Sequence, residues 1–283
     1  MKKNCIINFR IAIVIQLVVM SYSSQAQTSG WDGSNILEKL PTGLTLKSDT
    51  EVKYRLTTFY FNQNIFGEFQ DKLRVCGEFS RDLKANRTKW SNVTIAFSNK
   101  QDEEFSGGKK LDYMENMEYK PSPDMLKESA FNKFPDNFEN VYARNLVWDL
   151  MAIEDFAWNY LDSLRLNTPY KLPNHSEKFS MAEVGNYKHS NIYLTYQGVS
   201  KIKGDICAII QYRALDNKLE LNTKGLKSKG IELYWGDIWV SLNNKIIRYA
   251  TMFSSTTQEL EIQGMPNKFT LNTRRDLVLE ETE

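Results

Sequence analysis

Apolar and polar residues alternate along three consecutive runs between residues 50 and 98: EVKYRLTTFYFN, EFQDKLRVCGEF and TKWSNVTIAFSN. A period of two is the mark of a half-buried strand. The polar stretches NQNIFG and RDLKANR separate the runs, and connections this short favour an antiparallel meander. The pattern lapses over 99–124, which reads as a long irregular connection. The period then changes: VYARNLVWDLMAIEDFAWNYLD, at 141–162, repeats its apolar residues at helical spacing. A helix is expected over 138–165, ended by the prolines of LNTPYKLPNH. Strand-like runs resume over 179–281, with KGD, DNK and NNK as short polar turns. The order is meander, helix, larger meander. It predicts an α+β fold: a curved antiparallel sheet, half-barrel-like, wrapped around one long apolar helix.

On a helical wheel, Tyr142, Leu146, Ile153, Phe156, Ala157 and Tyr160 share one face, widened by Val147, Leu150 and Leu161. Arg144, Asp155, Asn159 and Asp162 fall opposite, Asp155 and Asp162 being expected in solvent, with Glu154 on a flank. Asp149 falls inside the apolar face. A buried carboxylate needs hydrogen bonds or a cation. Asp149 therefore reads as a structural residue bound by a partner on the sheet, with a general acid in an apolar pocket as the alternative. Asp149 and Glu154 point in different directions, so the helix alone does not supply a facing carboxylate pair.

The strand GIELYWGDIWVSL is bulky on both faces. Tyr234, Ile238, Val240 and Leu242 share one; Trp235, Asp237 and Trp239 share the other. A two-sided core explains this. So does an aromatic wall for a sugar ring or an apolar ligand, which makes Trp235, Asp237 and Trp239, with Asp149, the candidate ligand-binding residues.

Composition then narrows the class. MKKNCIINFR, IAIVIQLVVM and SYSSQAQ run basic, apolar and small, with Ser24 and Ala26 placed for cleavage. This is the order of a secretory signal peptide over 1–26, and the apolar run is short of the roughly 20 residues that span a bilayer. Ser34 of SNILEKLPTG is placed to cap one short helix before the first strand. No linker rich in Gly, Ser or Pro follows, so 27–283 is expected to be a single β-rich domain, periplasmic or secreted and not an integral membrane protein. The chain has 36 basic and 35 acidic residues, and loss of Lys2, Lys3 and Arg10 with the leader leaves the acids slightly ahead. That balance argues against nucleic acid as a partner.

Cys76 and Cys207 are the only cysteines after residue 26. They could form one disulfide in an exported chain, but separate thiols fit their distance in sequence better. His175 and His189 stand alone, without a carboxylate or thiol at ligand spacing, so no metal or other cofactor is expected. The sequence has neither the Ser-hydrolase elbow G-x-S-x-G nor the dinucleotide fingerprint G-x-G-x-x-G.

The leader, the strand order and the helix placement together resemble periplasmic lipoprotein-carrier-like half-barrel proteins, which hold acyl chains between sheet and helices. That resemblance implies a non-enzymatic exported protein that binds an apolar or amphipathic small molecule, or an envelope protein. Two alternatives stand beside it. One is an exported hydrolase using Asp149 or Glu154 with the Trp235/Asp237/Trp239 face; the other is an envelope scaffold with no small ligand. The leader generates the first test. Intact-mass measurement on secreted material should give a chain lacking about 26 residues, and a mass that still includes Cys5 would contradict export by this route.

Overall fold

The computed structural model describes residues 51–282 apart from 138, 174–177, 182–184 and 224, together with Leu40, Gly43, Leu44, Leu46 and Asp49. The expected signal peptide and His175 lie outside the described residues, as does nearly all of the short helix expected at SNILEKLPTG.

The long strands are β1 (Glu51–Asn64), β2 (Phe69–Asp82), β3 (Arg87–Ser98), β9 (Asn191–Ile202), β10 (Asp205–Thr223), β11 (Leu226–Ser241), β12 (Ile247–Ile262) and β13 (Phe269–Thr282). Five short ones join them: β4 (Lys109–Lys110), β5 (Glu118–Tyr119), β6 (Tyr170–Lys171), β7 (Lys178–Ser180) and β8 (Gly185–Lys188). All thirteen belong to one open sheet, in the order β4-β3-β2-β1-β13-β12-β11-β10-β8-β7, with β9 also on β10, β6 on β9 and β5 on β3. Every pairing is antiparallel. The last strand closes back on the first, so the two meanders share one sheet.

One α-helix, α1 (Glu139–Trp158), is present among the described residues. The fold is therefore mostly β, not α+β. The expected helix over 138–165 stops early, because Tyr160 leaves the helical region at φ −122, ψ 0 and Leu161–Ser163 makes a single 3-10 turn. The Trp158 indole also donates to the Lys245 carbonyl at 2.8 Å, tying the helix end to the β11–β12 turn.

Alternation sorts the side chains. Tyr54, Leu56 and Tyr60 of β1, Leu73, Val75 and Phe79 of β2, and Leu277 and Leu279 of β13 are buried on the face that α1 covers. Tyr54 stacks on Phe79 at 5.1 Å, and Phe79 leans on Trp90 at 4.8 Å. The segment between β3 and α1 closes this end of the core with Met114, Met125 and Phe131. It also covers the helix on the side away from the apolar face. Arg144, which lies there on the wheel, is buried, its guanidinium 4.9 Å from the Phe131 ring and its Nε donating to Asn140 at 2.7 Å. A sequence wheel sees one covering partner, and this helix has two.

The DNK stretch expected as a turn is instead a bulge inside one 19-residue strand. Ala214 faces Tyr234 and Asn217 faces Glu232, so β10 carries one extra residue there, with Asp216 at φ 60. A one-residue insertion reverses parity. Before the bulge the even residues Ala208, Ile210, Tyr212 and Ala214 face inward; after it Asn217, Leu219 and Leu221 do. Gly236 answers a different demand. Tyr212 lies across it to donate to the Thr251 carbonyl at 2.8 Å, and a Cβ at Gly236 would stand 2.0 Å from that oxygen.

Cys76 on β2 and Cys207 on β10 are both free thiols. Four strands separate β2 from β10, roughly 24 Å at normal strand spacing, against the ~7 Å that a disulfide tolerates between Cα atoms. The pairing considered from sequence is thus not formed. Cys207 is fully buried, and burial pushes its thiol up to about 11. Cys76 is half-buried and accepts a hydrogen bond from Thr57. A thiol reagent should label Cys76 in the folded mature chain and Cys207 only after denaturation. Absence of any reactive thiol under denaturing, non-reducing conditions would contradict this arrangement.

Candidate functional site

The inner face is not filled evenly along the strands. Near the β11–β12 turn it carries Ile238, Val240, Ala250 and Leu279, packed and buried. Toward the opposite strand ends the space between α1 and the sheet opens into a cavity of about 1180 Å³. Leu219 and Leu221 of β10, Leu226 of β11, Leu260 and Ile262 of β12 and Leu271 of β13 line its apolar part, with Met181 and Ile192 nearby. From the helix come Tyr142, Asn145, Trp148, Asp149, Ile153 and Phe156. The bulge matters here. Without it Leu219 and Leu221 would point away from the cavity.

Two buried ion pairs fix the helix above this space. Glu154 receives a forked contact from Arg81 of β2, Nε to Oε1 at 2.8 Å and Nη2 to Oε2 at 3.2 Å. Arg81 also donates to Asn86 at 2.7 Å. Burial pushes the Glu154 carboxyl up, while the Arg81 charge and hydrogen bonds hold it back. Asp149 forms an ion pair with Arg275 of β13. The Arg275 guanidinium also lies 5.1 Å from the centre of the Tyr60 ring. Burial pulls this guanidinium below its usual range, opposed by the neighbouring Tyr60 hydroxyl. Asp149 and Glu154 are thus each paired with an arginine of a different strand.

A second polar group sits on the cavity wall formed by β8, β10, β11 and β12. The Tyr187 hydroxyl donates to Glu232 at 2.6 Å. Thr256 faces Glu232 across the β11–β12 pair, and Ser254 faces Tyr234. His189 Nδ1 lies 3.4 Å from both the Tyr234 hydroxyl and Asn217 Oδ1. Burial pushes the Glu232 carboxyl up, with the Tyr187, Ser254 and Thr256 hydroxyls pulling it down. Glu232 was missed from sequence, although its parity with Tyr234 already placed it on the inner face. His189, dismissed as a metal ligand, is part of this cavity wall.

Trp235, Asp237 and Trp239 lie on the other side of the sheet. Tyr234, Ile238 and Val240 are buried inward, whereas Trp235 is 45% exposed and stacks on Phe253 at 6.2 Å. Trp239 meets Tyr249 edge-on at 5.2 Å. Asp237 is half-buried between them, its carboxyl pushed up by burial. The four residues grouped from sequence therefore divide: Asp149 faces the cavity, and the Trp235/Asp237/Trp239 row faces outward. The strand is bulky on both faces, yet only one is core. Among the described residues no group of three or more His, Cys, Asp or Glu is placed to hold a metal ion, and no helix is long and apolar enough to cross a membrane.

No family model matches this chain, and no curated protein matches it. Among solved structures, one described as lipid-protein interactions in lipovitellin overlays with a TM-score of 0.45 at 11% identity. The overlay covers 84% of this chain and 25% of that one, so the chain spans about a quarter of its length. The botulinum neurotoxin serotype C1 binding domain gives a TM-score of 0.10 at 8% identity, covering 82% of this chain and 79% of that domain. Neither score reaches a common fold, so neither likeness assigns a family or a ligand. A lipoprotein carrier is not among these similar structures.

Removing one partner of a buried pair strands the other charge and typically costs about 3–5 kcal/mol, whereas replacing both with apolar groups is often close to neutral. Asp149→Leu should therefore lower the urea midpoint strongly. Asp149→Asn, which keeps the shape, should cost about 1–3 kcal/mol. Adding Arg275→Met to Asp149→Leu should recover part of the loss. Unchanged or raised midpoints in both single variants would contradict the clamp.

Proposed function

We propose that this chain is an exported, non-enzymatic protein that encloses an apolar or amphipathic small molecule between α1 and the inner face of the sheet. The observation that carries this reading is the cavity: about 1180 Å³, walled on the sheet side by the side chains of Leu219, Leu221, Leu226, Leu260, Ile262 and Leu271. Ligand pockets commonly run to roughly 300–1,000 Å³, mostly apolar with a few placed polar groups. This one lies somewhat above that range and has that character.

The contacts of α1 support a sheet curved around it. Glu154 reaches Arg81 on β2, and Phe156, two residues on, packs 5.2 Å from Tyr212 on β10. In a flat sheet those strands would stand roughly 24 Å apart, about twice the ~10–12 Å diameter of a helix. Curvature brings both within reach and turns uncovered sheet into the wall of a cavity. The hydrolase alternative lacks its assembled site, because Asp149 and Glu154 are paired with arginines and the Trp row faces the opposite side.

Native mass spectrometry of the protein from its own host should show an added mass that organic solvent extracts as an apolar compound. Leu221→Trp with Leu271→Trp should fill the cavity mouth and reduce that occupancy, with the denaturation midpoint little changed because both side chains are only partly buried. No bound compound in the wild type, together with equal uptake of an apolar fluorophore by both proteins, would overturn the reading.

A further inference from the structure

The cavity has an unbalanced charge. Its lining includes Arg81, Arg275, Asp149, Glu154, Asp155 and Glu232. The two arginines are committed to Glu154 and Asp149. Asp155 takes the Asn159 amide at 2.5 Å. Glu232 remains. Among the described residues its partners are hydroxyls, Tyr187 at 2.6 Å with Ser254 and Thr256 beside it, and no lysine or arginine pairs with it. The groups that face it from β8, the β8–β9 turn and β11 are Tyr187, His189 and Tyr234, a ring of aromatic and imidazole side chains. Aromatic faces attract cations. A carboxylate held in an apolar enclosure without a cation is costly, and a ligand that supplies one removes that cost.

We infer that Glu232 is the polar anchor of this cavity and receives a ligand's primary ammonium group, so that the enclosed molecule is an alkyl amine or a lipid with an amine head. The inference rests on the enclosure of a small molecule by this cavity. The alkyl part lies along Leu219, Leu221, Leu260 and Leu271, and the amine donates to Glu232 among the Tyr187 and Tyr234 hydroxyls. Burial already pushes the Glu232 carboxyl up. The free site thus resists its own charge, and an ammonium partner restores it.

Three probes of equal chain length separate the possibilities: hexadecylamine, hexadecanol and hexadecanoate, each measured by displacement of an apolar fluorophore from the intact mature protein. The wild type should bind the amine about tenfold or more tighter than the alcohol, the usual worth of a hydrogen bond to a charged group in a dry site. The carboxylate should bind worst. Glu232→Gln should bring the amine down to the affinity that the same variant shows for the alcohol. The amine/alcohol ratio in the wild type decides the matter even if that variant folds poorly. Equal binding of amine and alcohol, tightest binding of the carboxylate, or a ratio that survives in Glu232→Gln would overturn the assignment while leaving the cavity reading intact. Failure of all three probes to displace the fluorophore would sink the cavity reading, and this inference with it.

Discussion

The organising constraint is a mismatch of area. Eight long strands present one inner face, and among the described residues a single α-helix, of 20 residues, lies over it. The helix is roughly 30 Å long and 10–12 Å wide, whereas seven strand spacings measure roughly 34 Å. Part of the deficit is met by the segment between β3 and α1, which brings Met114, Met125 and Phe131 onto the β1–β3 side. Among the described residues the far ends of β10–β13 line the cavity instead. The proposed curl of the sheet and the cavity beneath α1 are two consequences of that shortage.

A helix over a partly open space needs lateral fixing, because a hydrophobic face alone lets it slide or roll. Here the fixing is ionic. Glu154–Arg81 holds one flank to β2, and Asp149–Arg275 holds the next turn to β13. Such pairs are poor sources of net stability, since desolvation consumes most of the attraction. They are good at specifying one register, because any other position leaves buried charges unmatched. They also occupy both arginines of the cavity, which is why Glu232 is left as its one inward carboxylate held only by hydroxyls.

Much of the architecture was legible in the sequence, for an identifiable reason. Alternation in β1 and β13 is unbroken, so their positions and inner faces followed directly from parity. The helix was legible in its period but not in its end, which depends on the backbone of Tyr160 and the reach of Trp158 to Lys245. The β10 bulge was not legible. Asp216 and Asn217 carry the composition of a turn, and only pairing with both β9 and β8 shows one continuous strand. The candidate site suffered most. Asp149 drew attention as a polar residue on an apolar face, but its partner Arg275 lies 126 positions along the chain, a distance no local pattern spans. Glu232 escaped notice because its neighbours Trp235 and Trp239 are bulkier, though they face away from the cavity.

Two surfaces of the same strand thus compete for the role of binding site, and tryptophan fluorescence separates them. Trp148 and Trp158 line the cavity, whereas Trp235 and Trp239 stand on the outer face. A fatty acyl chain brominated near its middle quenches only the indoles it touches. The account predicts that this probe quenches wild type and the Trp235→Phe/Trp239→Phe variant alike, and loses most of its effect on Trp148→Phe/Trp158→Phe. Quenching that survives in the cavity variant and disappears in the outer-face variant would contradict it.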